Sequence, residues 1–207
     1  ASGGAEASAE GDSAAAPPVG GLDADAAFDR IVAGDFASEL EGEEFWQAVR
    51  DAGLMEEVLA RFRERAEERP NDPEAQFDLG VAYVQALEGA AGPMQGMLAA
   101  KADEAFDAAL ALDEDHLEAR AWKAISLSFW PPVFGKHNQA IQQFEILIEK
   151  QKNFPAEPQH ASAYVLLGNL HLQQGAQDEA LAVWKAGLAL FPDDVELAQK
   201  IVEAEEP

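Results

Sequence analysis

The side chains that could do chemistry are few and widely spaced. Four histidines, His116, His137, His160 and His171, never recur at the i, i+4 interval of a helical metal pair, and none stands beside a serine nucleophile motif. Cysteine is absent, which excludes disulfides, thiolate catalysis and Cys-type zinc sites. Asp113-Glu114-Asp115 with Glu118 is rich in carboxylate. It lacks the glycine and the spacing of a calcium loop, so it reads as a solvated turn. No phosphate-cradling loop and no carboxylate pair rises above the acidic background. The chain therefore predicts no catalytic residue, no metal and no cofactor. A binding protein is the leading function class and an enzyme the competing one.

What the chain does offer is apolar side chains where a loop would ordinarily be polar. Phe129-Trp130-Pro131-Pro132-Val133-Phe134-Gly135 holds three aromatics and two prolines. Prolines stiffen a loop, so its aromatics would lose little further entropy on binding. Aromatics are also favoured interface anchors. Two readings stand against each other: the loop presents these rings to a partner, or it folds back over its own chain as extra core. Phe129 continues a helix and is expected in the core. Trp130 and Phe134 fit either reading. Met94 and Met97, in a Gly-rich stretch, read as an adaptable contact surface or as filler.

Composition narrows the partner. The chain has 207 residues, 48% of them apolar, enough for a sizeable core. It carries 39 acidic against 14 basic residues, a formal net charge of −25. Nucleic acid is thereby disfavoured, because phosphate binding needs clustered Lys and Arg. Cationic proteins or peptides are the electrostatically favoured partners. The plainer reading of the acidity is solubility or a salty habitat. No run of 18 apolar residues predicts a membrane-spanning helix.

The elements that must position these residues are helices. Between Ala161 and Pro192 the chain reads Tyr164-x₂-Leu167-Gly168-x₂-His171, then Ala180-x₃-Trp184, then Pro192. Gly168 and Ala180 are small enough for two helices to cross closely, with Tyr164, Leu167, Leu181 and Trp184 filling the space beside them. Gly175 sits where the first helix must stop. Asp178 and Glu179 suit the first turn of the second, and Asp193-Asp194 can cap a further helix after Pro192. The same spacing appears twice upstream. Leu79-Gly80-x₂-Tyr83 pairs with Ala102-x₃-Phe106, and Ala124-x₂-Leu127 pairs with Ala140-x₃-Phe144. Gly168 and Ala180 are 12 residues apart, Gly80 and Ala102 are 22 apart, and Ala124 and Ala140 are 16 apart. Ten extra residues are thus expected between the helices of the first unit and four between those of the second, the latter within 129–135. Shorter helices are expected over Leu22–Ala33, Glu43–Ala52 and Leu54–Arg69. Phe62 precedes Pro70 by eight residues, as Trp184 precedes Pro192, so 43–70 reads as a shortened, degenerate unit capping the array.

This pattern resembles the tetratricopeptide repeat (TPR), a helix–turn–helix unit with a 34-residue period and a W-x₂-LG-x₂-Y…A-x₃-F…P signature. Tyr164 stands in for the Trp, His171 for the Tyr and Trp184 for the Phe. The resemblance implies an all-α fold, a right-handed superhelix of antiparallel helix pairs. The resemblance covers roughly 73–192, extends weakly over 43–70 and does not reach the first 40 residues. Together with composition and periodicity it gives expected domains at 1–21 (linker), 22–72 (N-terminal helices with the degenerate cap), 73–192 (three repeats) and 193–207 (C-terminal helix and tail). It also implies a partner-binding groove lined by Phe77, Val81 and Val84, by Ala121, Ile125 and Ser128, and by Val165, Asn169 and Leu172. In a subset of the family Lys and Asn grip a C-terminal carboxylate in this groove. Here only Asn169 survives, so that mode is not expected. The expected function is a non-enzymatic scaffold holding a protein segment in the groove and the inserted loops. Arg69-Pro70-Asn71-Asp72-Pro73-Glu74, with Leu79-Gly80 and the Trp184 helix, further resembles periplasmic TPR subunits of cytochrome c maturation, which hold apocytochrome segments. A structural subunit of an envelope complex is another alternative.

Residues Ala1–Gly21 are Ala, Gly, Ser, Glu and Pro with almost no large apolar side chain, a composition that does not order itself. Such a stretch reads as a linker behind a removed signal peptide or a membrane anchor, or as an engineered terminus. An exported, periplasmic or envelope location is therefore the first expectation and a cytoplasmic one the alternative. Every periodic segment from 43 to 204 has the helical period and none alternates. Far-UV circular dichroism should accordingly show a helical spectrum, and a strand content near the ~20–25% of an average domain would contradict the assignment.

Overall fold

The computed structural model describes residues 22–205. Within them lie ten α-helices and no strand: α1 (Ala24–Ala33), α2 (Glu39–Asp51), α3 (Met55–Glu68), α4 (Pro73–Leu87), α5 (Pro93–Leu112), α6 (Leu117–Ser128), α7 (His137–Gln151), α8 (Ala161–Gln173), α9 (Gln177–Leu190) and α10 (Val195–Glu205). The linker expected over 1–21 lies outside the described residues. No described helix is long and apolar enough to cross a membrane.

Side-chain caps fix half of the ten helix starts. Asp23 accepts a bond from Ala26 N, Ser38 from Glu41 N, Asp72 from Glu74 N and Asp194 from Leu197 N, each satisfying an otherwise orphaned amide. Ser38 explains why α2 begins at Glu39, four residues before the expected start. Asp72 with Pro73 at the first helical position starts α4. The Arg69–Glu74 segment that resembled cytochrome c maturation subunits is thus occupied in capping and, through an Arg69–Asp72 ion pair, in closing its own turn. An unusual cap starts α6: the His116 ring nitrogen Nδ1 accepts from Ala119 N at 3.3 Å.

Helices α4/α5, α6/α7 and α8/α9 pack as antiparallel pairs, and the pairs stack in sequence through α5–α6 and α7–α8. The first helices of the pairs also touch one another, α4 with α6 and α6 with α8. Each unit centres on one fully buried aromatic: Phe62, Phe106, Phe144 and Trp184. Burying each contributes roughly 1.5–3 kcal/mol. The helices opposite Phe106 and Trp184 are notched to receive them. A Cβ added at Gly80 would fall on the Phe106 ring, and one at Gly168 on the Trp184 indole, whose N–H donates to the carbonyl of Val165 at 3.2 Å.

Two expectations are corrected here. The ten extra residues of the first pair do not form a loop. Only Glu88–Gly92 turns, and the rest lengthens α5 to 20 residues against 14 in α9. Pro93 preorganises the start of α5, and Met94, Gln95, Met97, Leu98, Ala99, Ala100 and Lys101 are good helix formers that outweigh the ~1 kcal/mol cost of Gly96. At the N-terminal end, α3 packs on α4 and on α1 rather than mainly on α2, the helix before it. Helix α2 instead stands off on its large side chains Phe45, Trp46 and Val49 and sends Arg50 to Gln85 Oε1 (2.7 Å) and Glu88 (2.7 Å) of the first pair. At the other end α10 buries Leu197 and Ile201 against α8 and α9.

The close crossing makes a sharp stability test. Gly168→Ala is expected to lower the unfolding free energy in urea by about 2 kcal/mol, the cost of overpacking a filled core. Gly89→Ala, with no neighbour within 4 Å of the added carbon, is expected to change it by less than about 0.5 kcal/mol. Equal effects at the two sites would contradict the packing.

Candidate functional site

The antiparallel pairing places the turns within the pairs along one edge of the array. The longest of them, between α6 and α7, is built step by step from its sequence. Pro131 and Pro132 prevent α6 from continuing, so it ends at Ser128 and Phe129 becomes its cap. Pro132–Phe134 then forms one 3₁₀ turn, closed by Phe134 N to Pro131 O (3.0 Å) and Gly135 N to Pro132 O (3.0 Å). Gly135, at φ 65°, takes the left-handed conformation that returns the chain to α7. His137 Nε2 donates to the Trp130 carbonyl at 2.9 Å and closes the base.

This backbone sends its side chains in two directions. Trp130 turns inward onto the cluster around Ala124, Phe144 and Leu167. Its indole N–H donates to Asp103 Oδ2 of α5 at 3.1 Å. The Phe134 ring meets it edge-on at 5.3 Å, and the Lys136 ammonium lies 5.8 Å from its centroid. Phe129, Val133 and the outer part of Phe134 face solvent, at 83%, 86% and 60% exposure. Phe129 was expected in the core and the structure reverses this. Ending α6 at Ser128 swings Phe129 outward, and Trp130 occupies the inner position in its place.

The expected groove residues are more deeply packed. Phe77 is 8% exposed, its ring 6.2 Å from Phe106 and 5.0 Å from the His116 imidazole. Val81 and Val84 are half-buried against the N-terminal cluster, and Ala121 and Ile125 against the next. Val165 is buried. Ser128 Oγ donates to the Ile125 carbonyl at 2.6 Å. Asn169 is half-buried and Leu172 is 45% exposed. The structure therefore brings Trp130 and Phe134 together at the edge, sets Phe77, Val81, Val84 and Ile125 into or against the core, and leaves Leu172 as the open groove side chain. Met94 and Met97, on the lengthened start of α5, are about half exposed.

Asp103 is the residue the sequence did not reveal. It lies on α5 among Ala102, Ala105 and Phe106 and is only 7% exposed. Ser126 Oγ donates to its Oδ1 at 2.7 Å. Burial raises its carboxyl above the ordinary value of 3.8, against the opposing pull of the Ser126 bond, the Lys136 charge and the Trp130 bond. Asp78, ion-paired to Arg65 of α3, is also raised, again chiefly by burial. The one available signal for Asp103 was a carboxylate flanked by small residues on an inward helical face.

Three of the four histidines serve structure. His116 caps α6 and lies 3.3 Å from Glu74, His137 braces the turn, and His160 Nδ1 accepts from Glu157 N at 3.4 Å. Asp113–Asp115 forms the turn between α5 and α6, fastened by a Lys150–Asp115 ion pair and by Arg120 donating to the Glu114 carbonyl at 2.8 Å. Among the described residues no group of three or more His, Asp or Glu is arranged to hold a metal.

The Asp103 site carries a pH signature. The folded state holds a proton on this carboxyl at pH values where the unfolded chain has released it. Stability from this group is therefore greatest in acid and falls as pH rises from about the ordinary value of 3.8 through the raised one. Asp103→Asn should remove that component. Its unfolding free energy should match or exceed that of the parent at neutral pH, and the difference should shrink on acidification. A variant whose pH profile runs parallel to the parent throughout would contradict the buried charge.

Residues 134–195 match the tetratricopeptide repeat family. No curated protein matches the chain in sequence. Solved structures resemble it in fold. A thermophilic TPR protein of Thermus thermophilus is 18% identical, covering 87% of this chain and 90% of its own, with a TM-score of 0.59. MamA from Desulfovibrio magneticus RS-1 is 20% identical over 78% of this chain and 80% of its own, with a TM-score of 0.56. PilF of Pseudomonas aeruginosa is 18% identical over 87% of this chain and 68% of its own, with a TM-score of 0.55. Paired helices stacked about one aromatic each, the motif column and these likenesses agree: the chain has the fold of tetratricopeptide-repeat proteins, and its residues 134–195 match that family's sequence pattern.

Proposed function

We propose that this protein is a non-enzymatic adaptor that holds a segment of a cationic protein partner along the turn edge, with Phe129, Val133 and Phe134 as apolar anchors and the groove around Ile125, Asn169 and Leu172 beside them. The observation that carries this reading is the exposure of three large apolar side chains on a turn that is itself braced by prolines, a 3₁₀ turn and the inward Trp130. Rigid exposed aromatics bind with little entropy left to lose, and an exposed apolar patch marks a contact site. Charge supports a cationic partner. Most of the 14 Lys and Arg side chains are already ion-paired within the chain, which leaves many of the 39 carboxylates to act on a partner.

A photo-crosslinking residue at Val133 should trap a specific protein in cells of the native organism, and one at the exposed Glu145 of α7 should not. With that protein purified, Phe129→Ser combined with Phe134→Ser should weaken binding by about tenfold or more, as loss of anchor residues does. Both side chains are exposed, so the double variant should fold as the parent does. Affinity should fall as salt rises. Equal trapping at both positions, or affinity indifferent to the double variant, would refute the site. Affinity indifferent to salt would refute the cationic partner.

A further inference from the structure

We infer that Asp103 is the positioning residue of the partner-facing turn: from the preceding helix pair, its carboxylate holds the turn in place through the Trp130 indole. The inference rests on the binding reading for its purpose, and on geometry alone for its existence. Asp103 belongs to α5, whereas the turn belongs to the next pair, α6/α7. The two groups that converge on it, Ser126 Oγ–H at 2.7 Å and Trp130 Nε1–H at 3.1 Å, are both donors and take separate oxygens. A carboxylate satisfies both at once. Lys136 faces the same site from the far side of the turn, near enough to act on the Asp103 charge while lying over the Trp130 ring. One turn further along the helix, Asp107 is ion-paired to Lys123 of α6.

An apolar side chain at 103 would avoid the cost of burying a charge. It would leave the Trp130 N–H half-buried and unbonded, and nothing would define the ring's direction. Trp130 sits between the exposed rings, one residue after Phe129 and four before Phe134, against which its ring packs. The direction of the indole therefore sets the direction of the surface. Asp103 touches no partner and acts through Trp130.

The test needs no partner. In the free protein, the Trp130 indole N–H resonance reports the bond directly, and chymotrypsin cleavage after Phe134 reports opening of the turn. Asp103→Leu should shift the indole resonance and speed cleavage about tenfold or more, since the bond lost is one to a charged acceptor. Asp103→Asn retains an acceptor for the indole and should restore both readouts toward the parent, a rescue that mere filling of space would not give. Should Asp103→Leu fail to fold, Trp130→Phe keeps a ring, removes the donor and should open the turn in the same way. An unshifted resonance with parent-like cleavage in Asp103→Leu, or cleavage in Trp130→Phe at the parent rate, would overturn the inference. Because neither readout involves a partner, failure of the binding reading would appear separately, in the crosslinking experiment.

Discussion

The structure depends on the approach of two helices within each pair, close enough for a single aromatic to fill the gap. Phe106 fits against Gly80 and Trp184 against Gly168, where no room remains for even a methyl group. That fit fixes the spacing of each pair and hence the surface it offers to the next. The remaining apolar positions then have little freedom: Phe144 and Leu147 with Leu167 and Leu170, and Tyr164 with Leu197, close the layers between neighbouring units. Ion pairs such as Arg65–Asp78, Lys123–Asp107 and Lys150–Asp115 join one element to another. They are partly exposed, so each adds little beside the buried rings.

The elongated turn follows a different rule. It contains more apolar surface than its own repeat can cover, and the structure divides that surface rather than burying it. Trp130 takes the available space over the second cluster, and Phe129 and Val133 are left outside. The prolines keep the arrangement from collapsing into a helix, and the left-handed Gly135 lets the chain leave it. A buried carboxylate beneath the tryptophan is costly for stability and useful for direction.

The repeats were legible in the sequence because one small residue and one aromatic recur at near-constant spacing, and burial then follows from geometry. Trp184, Phe144 and Phe106 were all placed in this way. The reading failed where composition and local preference disagreed. Glycines at 89, 92 and 96 suggested a loop, yet Pro93 and the good helix formers after it extended α5. Phe129 continued an apolar pattern and was expected inside, but Pro131 ended the helix one residue before that pattern could place it. Asp103 was hidden for a third reason. Its partners are 23 and 27 residues away, and no local pattern encodes a bond between neighbouring pairs. The groove side chains showed their helix faces in the sequence, but how deeply each neighbour would cover them could be read only from the stacked array.

The wiring of the pairs has a consequence for how the chain reaches this state. From α3 onward each helix touches mainly its neighbours in sequence, and the farthest frequent contacts join alternate helices such as α4 with α6 and α6 with α8. No segment must wait for a distant one, so the search for partners is local and folding is fast for a chain of this length. The same locality limits cooperativity, because the array can open from an end without disturbing its middle. Helix α10 is covered on one side by α8 and α9 and is bare at Val195 and Val202. The turn that carries Phe129 and Phe134 belongs to the middle pair, α6/α7, with a helix pair packed on either side of it.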